Sequence, residues 1–226
     1  MEQDGFLVRD IQTRRYRLSA KVMSLGFEFL SAQPFTDAAQ AYLGKVSDET
    51  RATAFLVVID GWEVVHLARM APSAALVMNL QIGARFPVHS VVSGRAILSY
   101  LDEANLQTIH ASLRSQCKTV AVPDFQTLRE QARTDRARGY VLSRSLYEPS
   151  ISACAAPIRD RTGAAVAAIT VVAPHSFVDE LGGEEALSRI VTGATNSFPS
   201  NLGFRQTHRI LHRIPPPDRR PPSKHL

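Results

Sequence analysis

The chain has 226 residues, 45% hydrophobic and 21% charged, the proportions of a folded globular protein with a sizeable core. No apolar run approaches the ~20 residues a membrane helix needs, the start lacks a signal peptide's pattern, and two cysteines are too few for a disulfide framework, so a reducing cytoplasm is expected. The net charge of +5 sits wholly beyond residue 204, where six cations face one anion, so the body is neutral and a broadly basic nucleic-acid-binding surface is excluded there.

In chain order, residues 5–10 and 15–18 read as two short β-stretches around a polar connection at 11–14, a hairpin pattern. Ser19 suits the N-cap of a helix with apolar positions at Val22, Leu25, Phe29 and Leu30. Pro34 suits a second helix start, and an amphipathic segment follows through Phe35, Ala38, Ala39, Tyr42, Leu43 and Val46. Residues 53–59 form an apolar strand-like run that turns at Asp60-Gly61 and pairs with 63–69. Residues 74–80 suggest a third strand, followed by a loop through Gly83 and Pro87.

Helical patterns then dominate. Residues 93–101 suggest one helix, Asp102 caps a second, and 123–138 form a third stopped by Gly139. Extended structure restarts at 140–142. Two strands, 151–158 and 164–172, flank the turn Asp160-Arg161-Thr162-Gly163, and a last helix spans 184–198. Strands, then helices, then strands imply an α+β fold on an antiparallel sheet. After Gly203 the chain turns to Pro215-Pro216-Pro217 and Pro221-Pro222 among arginines, a composition that predicts a disordered basic tail over 205–226.

Signals for catalysis fail. Ser115 and Lys118 match a Ser-x-x-Lys pattern without its partner motifs. His208 and His212 have metal-ligand spacing but lie among Arg205, Arg209 and Arg213 with no carboxylate between them. No nucleophile elbow, phosphate loop or dinucleotide fingerprint occurs, so neither enzyme activity nor a cofactor or metal is expected.

Three blocks carry a family likeness. His89-Ser90-Val91-Val92-Ser93-Gly94-Arg95-Ala96-Ile97-Leu98 resembles the segment of IclR-type bacterial transcriptional regulators that reads His, small residues, Gly-Lys-Ala, then aliphatics. Gly139-Tyr140 with Glu148-Pro149-Ser150-Ile151-Ser152-Ala153-Cys154-Ala155-Ala156-Pro157-Ile158 resembles the second block, and Asp160 to Gly163 followed by Ala167 to Pro174 the third. Residues 1–18 resemble the family's winged-helix wing, with Arg9, Arg14 and Arg15 as DNA-backbone contacts, and 19–33 its linker helix. The helices that precede the wing in the family are expected to be missing from this chain, leaving weak or no DNA binding of its own. Residues 34–204 would then be a GAF-like effector-binding domain with a central antiparallel sheet and flanking helices.

The resemblance implies a site for a small organic acid. Its anion-holding amides fall on Val92 and Ser93, beside Gly94, at a loop-to-helix junction where free N–H groups and small side chains favour an anion. Sheet positions fall on Ser143, Ala153, Thr170 and Val172, with Met78 over the mouth. His89 either enters the pocket or packs at a loop end, Thr170 is either a ligand contact or a satisfied core hydroxyl, and Cys154 is a small core residue. Where the family's keto-acid binders have a cysteine, a serine and a carboxylate, this sequence has Ala153, Val172 and Ser143. Fewer polar partners imply a larger, partly apolar effector with one anionic end, an aromatic or short aliphatic acid. The function implied is effector-controlled DNA binding by a homodimer or tetramer. The alternative is a stand-alone sensor or interaction module without DNA binding.

Overall fold

The structure, a computed structural model, describes residues 4–31, 34–72, 80–144 and 149–200. Met78, Glu148, His208, His212, most of the 74–80 strand expectation and the 205–226 tail lie outside the described residues.

The hairpin comes first. β1 (Leu7–Arg9) pairs antiparallel with β2 (Tyr16–Leu18). Asp10 closes its turn by accepting from the backbone N–H groups of Gln12 and Thr13 at 2.9 and 2.8 Å, while Arg14 takes a positive φ of 55°. Helix α1 (Val22–Ser31) follows Ser19, whose hydroxyl accepts from Lys21 N–H and donates to the Gly5 carbonyl. Helix α2 (Pro34–Thr50) begins at the proline, which needs no amide partner there.

Six strands form one antiparallel sheet in the order β5-β4-β3-β8-β7-β6. They are β3 (Thr53–Asp60), β4 (Glu63–Met70), β5 (Arg85–Pro87), β6 (Val141–Arg144), β7 (Ile151–Arg159) and β8 (Ala165–Pro174). The α+β expectation holds. Both central hairpins follow their turn chemistry. Gly61 takes φ 66° between Asp60 and Glu63, and Asp160 Oδ1 accepts from Thr162 N at 2.8 Å while Gly163 sits at φ 85°. The sequence predicts a loop where β5 lies. The strand pairs at the sheet edge, where Pro87 is tolerated, and Arg85 fastens it to Glu63 and Asp60 at 2.8 Å each.

Helices cover the two faces. Ala54, Leu56, Cys154, Ala156, Ile169 and Val171 point to one side, with Leu43 of α2, Val178 of α6 (His175–Glu180) and Leu187 of α7 (Glu184–Asn196). The short α6 carried no sequence signal. Phe55, Val57 and Ala168 point to the other side. There they meet α3 (Val92–Leu98), α4 (Glu103–Gln116) and α5 (Phe125–Arg138) through Ile97, Ile109 and Leu128. Asp102 and Asp124 cap α4 and α5, and Gly139 ends α5 at φ 76°. Within these residues, no helix is long and apolar enough to cross a membrane.

Candidate effector-binding site

Strand register assembles the site. Ser143 faces Ala153, Ala153 faces Val172, and Val172 faces Thr53, one row across four strands. The adjacent row runs Val141, Ala155, Thr170, Phe55 and Arg69. Facing partners share a side and alternate residues repeat it, so both rows lie on the α3 side of the sheet. Val92 and Ala96 of α3 pack against Val141 and Ala155, next to Ala153. The structure thus brings Val92, Ser143, Ala153, Thr170 and Val172 to one small-residue patch under α3. Cys154 points to the opposite core, where burial pushes its thiol up to about 12.

Gly94 and Ser93 are also buried in α3, but Gly94 faces elsewhere. A Cβ there would run into the carbonyl of Val88, in the 3-10 turn Val88–Ser90, so the glycine serves the packing of that turn on the helix. Val91 is the N-cap and its side chain makes no capping hydrogen bond. His89 is 9% exposed, and its Nε2 donates to the Ala121 carbonyl at 3.1 Å in the connection between α4 and α5. Its Nδ1 is buried without a partner, and burial holds its pKa below the usual imidazole range, with nearby His110 adding to the fall. Arg9, Arg14 and Arg15 stand together on the exposed hairpin, remote in sequence and sheet from this patch.

Two further buried atoms on the patch lack partners among the described residues. Thr170 is 4% exposed, and its hydroxyl makes no hydrogen bond. Arg69, partly buried at the end of the second row, has a buried Nε with no acceptor. An unmatched buried hydroxyl costs about 1–3 kcal/mol. Sequence reading missed Arg69, although a signal existed: no acidic residue occurs between Glu63 and Asp102, yet Arg69, Arg85 and Arg95 all lie there. Arg85 reaches back to Asp60 and Glu63, and Arg95 reaches Asp135, leaving the Arg69 side chain without a partner among the described residues.

Hollows lie elsewhere. One of about 350 Å³ lies beside Tyr100, Arg138, Arg159 and Arg189. Arg136 and Arg159 stack over the Tyr100 ring at 5.1 and 5.3 Å, and Arg136 and Arg138 complement the negative end of α5.

The family model described as bacterial transcriptional regulator IclR C-terminal matches residues 27–197. The Pca regulon regulatory protein of Pseudomonas putida is 29% identical over 161 residues, 70% of this chain and 55% of that protein. The p-hydroxybenzoate hydroxylase transcriptional activator of Acinetobacter baylyi is 26% identical over 189 residues, 78% of this chain and 69% of that protein. This chain therefore spans little more than half of the first relative. These relatives are transcriptional regulators, not enzymes. Among solved structures, an IclR-type regulator from Alicyclobacillus acidocaldarius superposes with a TM-score of 0.67 at 22% identity, over 95% of this chain and 81% of that one, which shows the fold.

Proposed function

The chain belongs to the IclR family of bacterial transcriptional regulators, and we propose that it senses a small organic acid on the sheet face beneath α3 and so controls DNA binding. The observation that carries this reading is the Thr170 hydroxyl, buried without a partner in a floor of small side chains. The effector is an aromatic or short aliphatic acid. Ala153, Ala155 and Val172 offer an apolar bed for its body, and Ser143 and Thr170 are the few polar groups that orient it. One relative is named for p-hydroxybenzoate hydroxylase, which favours an aromatic acid among the candidates.

Protomer contacts would transmit occupancy. Leu18 of β2 and Met23 and Leu25 of α1 are exposed by 67, 67 and 45%, an apolar surface that a partner protomer would cover. In the full-length family form, effector binding that favours one arrangement of protomers would shift DNA affinity through the coupling of two sites. Arg9, Arg14 and Arg15 of the hairpin would touch phosphates, adding salt-sensitive affinity without sequence information.

A calorimetric panel tests the effector class. Benzoate, 4-hydroxybenzoate and hexanoate should bind more tightly than pyruvate and glyoxylate. Tight binding of the keto acids with no response to the larger ones would overturn this reading.

A further inference from the structure

We infer that Arg69 is the counter-ion of the effector's carboxylate and therefore the residue that makes this pocket select acids over their neutral analogues. The inference rests on the sensor reading above and adds to it the group that recognises the charge.

The placement comes from register. Arg69 faces Phe55, and Phe55 faces Thr170, so the arginine ends the same row that carries the unpartnered hydroxyl. Neighbouring strands lie about 4.8 Å apart, which sets the Arg69 and Thr170 backbones roughly 10 Å from each other. A benzoate-sized acid spans that interval, with its carboxylate at the arginine and its far edge at the hydroxyl. Phe55 lies between them as an apolar floor, fully buried.

The chemistry agrees. The Arg69 side chain forms no ion pair and no hydrogen bond among the described residues, and its Nε is buried. The stretch that follows it, residues 70–101, holds no carboxylate to neutralise it. The Arg69 guanidinium thus brings a positive charge that no described carboxylate pairs with. A planar fork of N–H donors matches a carboxylate in two parallel hydrogen bonds, which a neutral amide cannot reproduce. The two orphaned atoms, one cationic donor and one hydroxyl, thus describe an occupant anionic at one end and able to hydrogen-bond at the other.

The test uses the full chain and paired probes. Calorimetric titration with benzoate, 4-hydroxybenzoate and hexanoate is compared with titration by their amides, for wild type, Arg69→Gln and Arg69→Lys. For whichever acid binds wild type, R69Q should weaken it by about 10- to 100-fold, the loss of one charge-assisted contact, and leave the amide within about twofold. R69K should fall between. Retained amide binding shows that the variant is folded. Unchanged acid binding by R69Q, or equal loss of acid and amide, would overturn the assignment of Arg69 while leaving the sensor reading in place. Failure of every acid on wild type would overturn both.

Discussion

Arg95 of α3 grips Asp135 of α5 in a two-pronged ion pair, Nε to Oδ2 at 3.0 Å and Nη2 to Oδ1 at 2.8 Å. Asp135 is 3% exposed at its side chain and Arg95 23%, so this contact is largely out of water. Burial pushes the Asp135 carboxyl up and Arg95 pulls it back down. The pair fixes the helix over the site to the helix behind it.

Removing one partner strands the other. Arg95→Met should cost about 3–5 kcal/mol, because a buried carboxylate is left unmatched. The double variant R95M/D135L should recover at least half of that loss. Urea unfolding of the wild type, both single variants and the double variant measures the coupling directly.

Gly94→Ala puts a methyl group into the Val88 carbonyl, which cannot move aside as a side chain would. The expected cost is about 2–3 kcal/mol, with the midpoint of urea unfolding lowered accordingly. A neutral result would show that the 3-10 turn yields freely.

Thr170→Val keeps the volume and removes the orphaned hydroxyl. In the ligand-free chain it should raise stability by about 1 kcal/mol, since the unmatched group no longer has to be desolvated. The same variant should bind 4-hydroxybenzoate more weakly. Stability and affinity moving in opposite directions is the signature of a residue kept for a guest.

The legible part of this molecule was local chemistry. Asp102, Asp124 and Gly139 announce their helix ends, and Asp60-Gly61 and Asp160 to Gly163 announce their hairpins, because those signals act within a few residues. The family likeness points to Ser143, Ala153, Val172 and Thr170, and strand register places these four on one face. Arg69 was not readable in the same way. Its meaning depends on which cations find partners far along the chain, as Arg95 does with a residue 40 positions away. Gly94 resembled a ligand-facing glycine in sequence, yet its bare Cα is required by Val88, a contact that only the folded turn creates.

Acid should weaken the fold through His66. This imidazole is 4% exposed, wedged edge-on between Phe55 and Phe86, and burial lowers its pKa from the usual 6.5 despite a hydrogen bond to the Ala84 carbonyl. The unfolded chain takes up this proton first as pH falls. Stability is therefore complete above about 6.5 and declines as pH drops through the window below it. Thermal melts at pH 7.5, 6.5 and 5.5 should show that decline, and His66→Gln should flatten it. His89, lowered for the same main reason, leaves a residual slope.

The most direct measurement is a titration of 4-hydroxybenzoate into the wild-type chain and into Ala153→Phe, whose ring would fill the centre of the row between Ser143 and Val172. The account predicts saturable binding to the wild type and none to A153F, with circular dichroism unchanged between them. Equal binding by both chains would place the acid elsewhere and contradict the account.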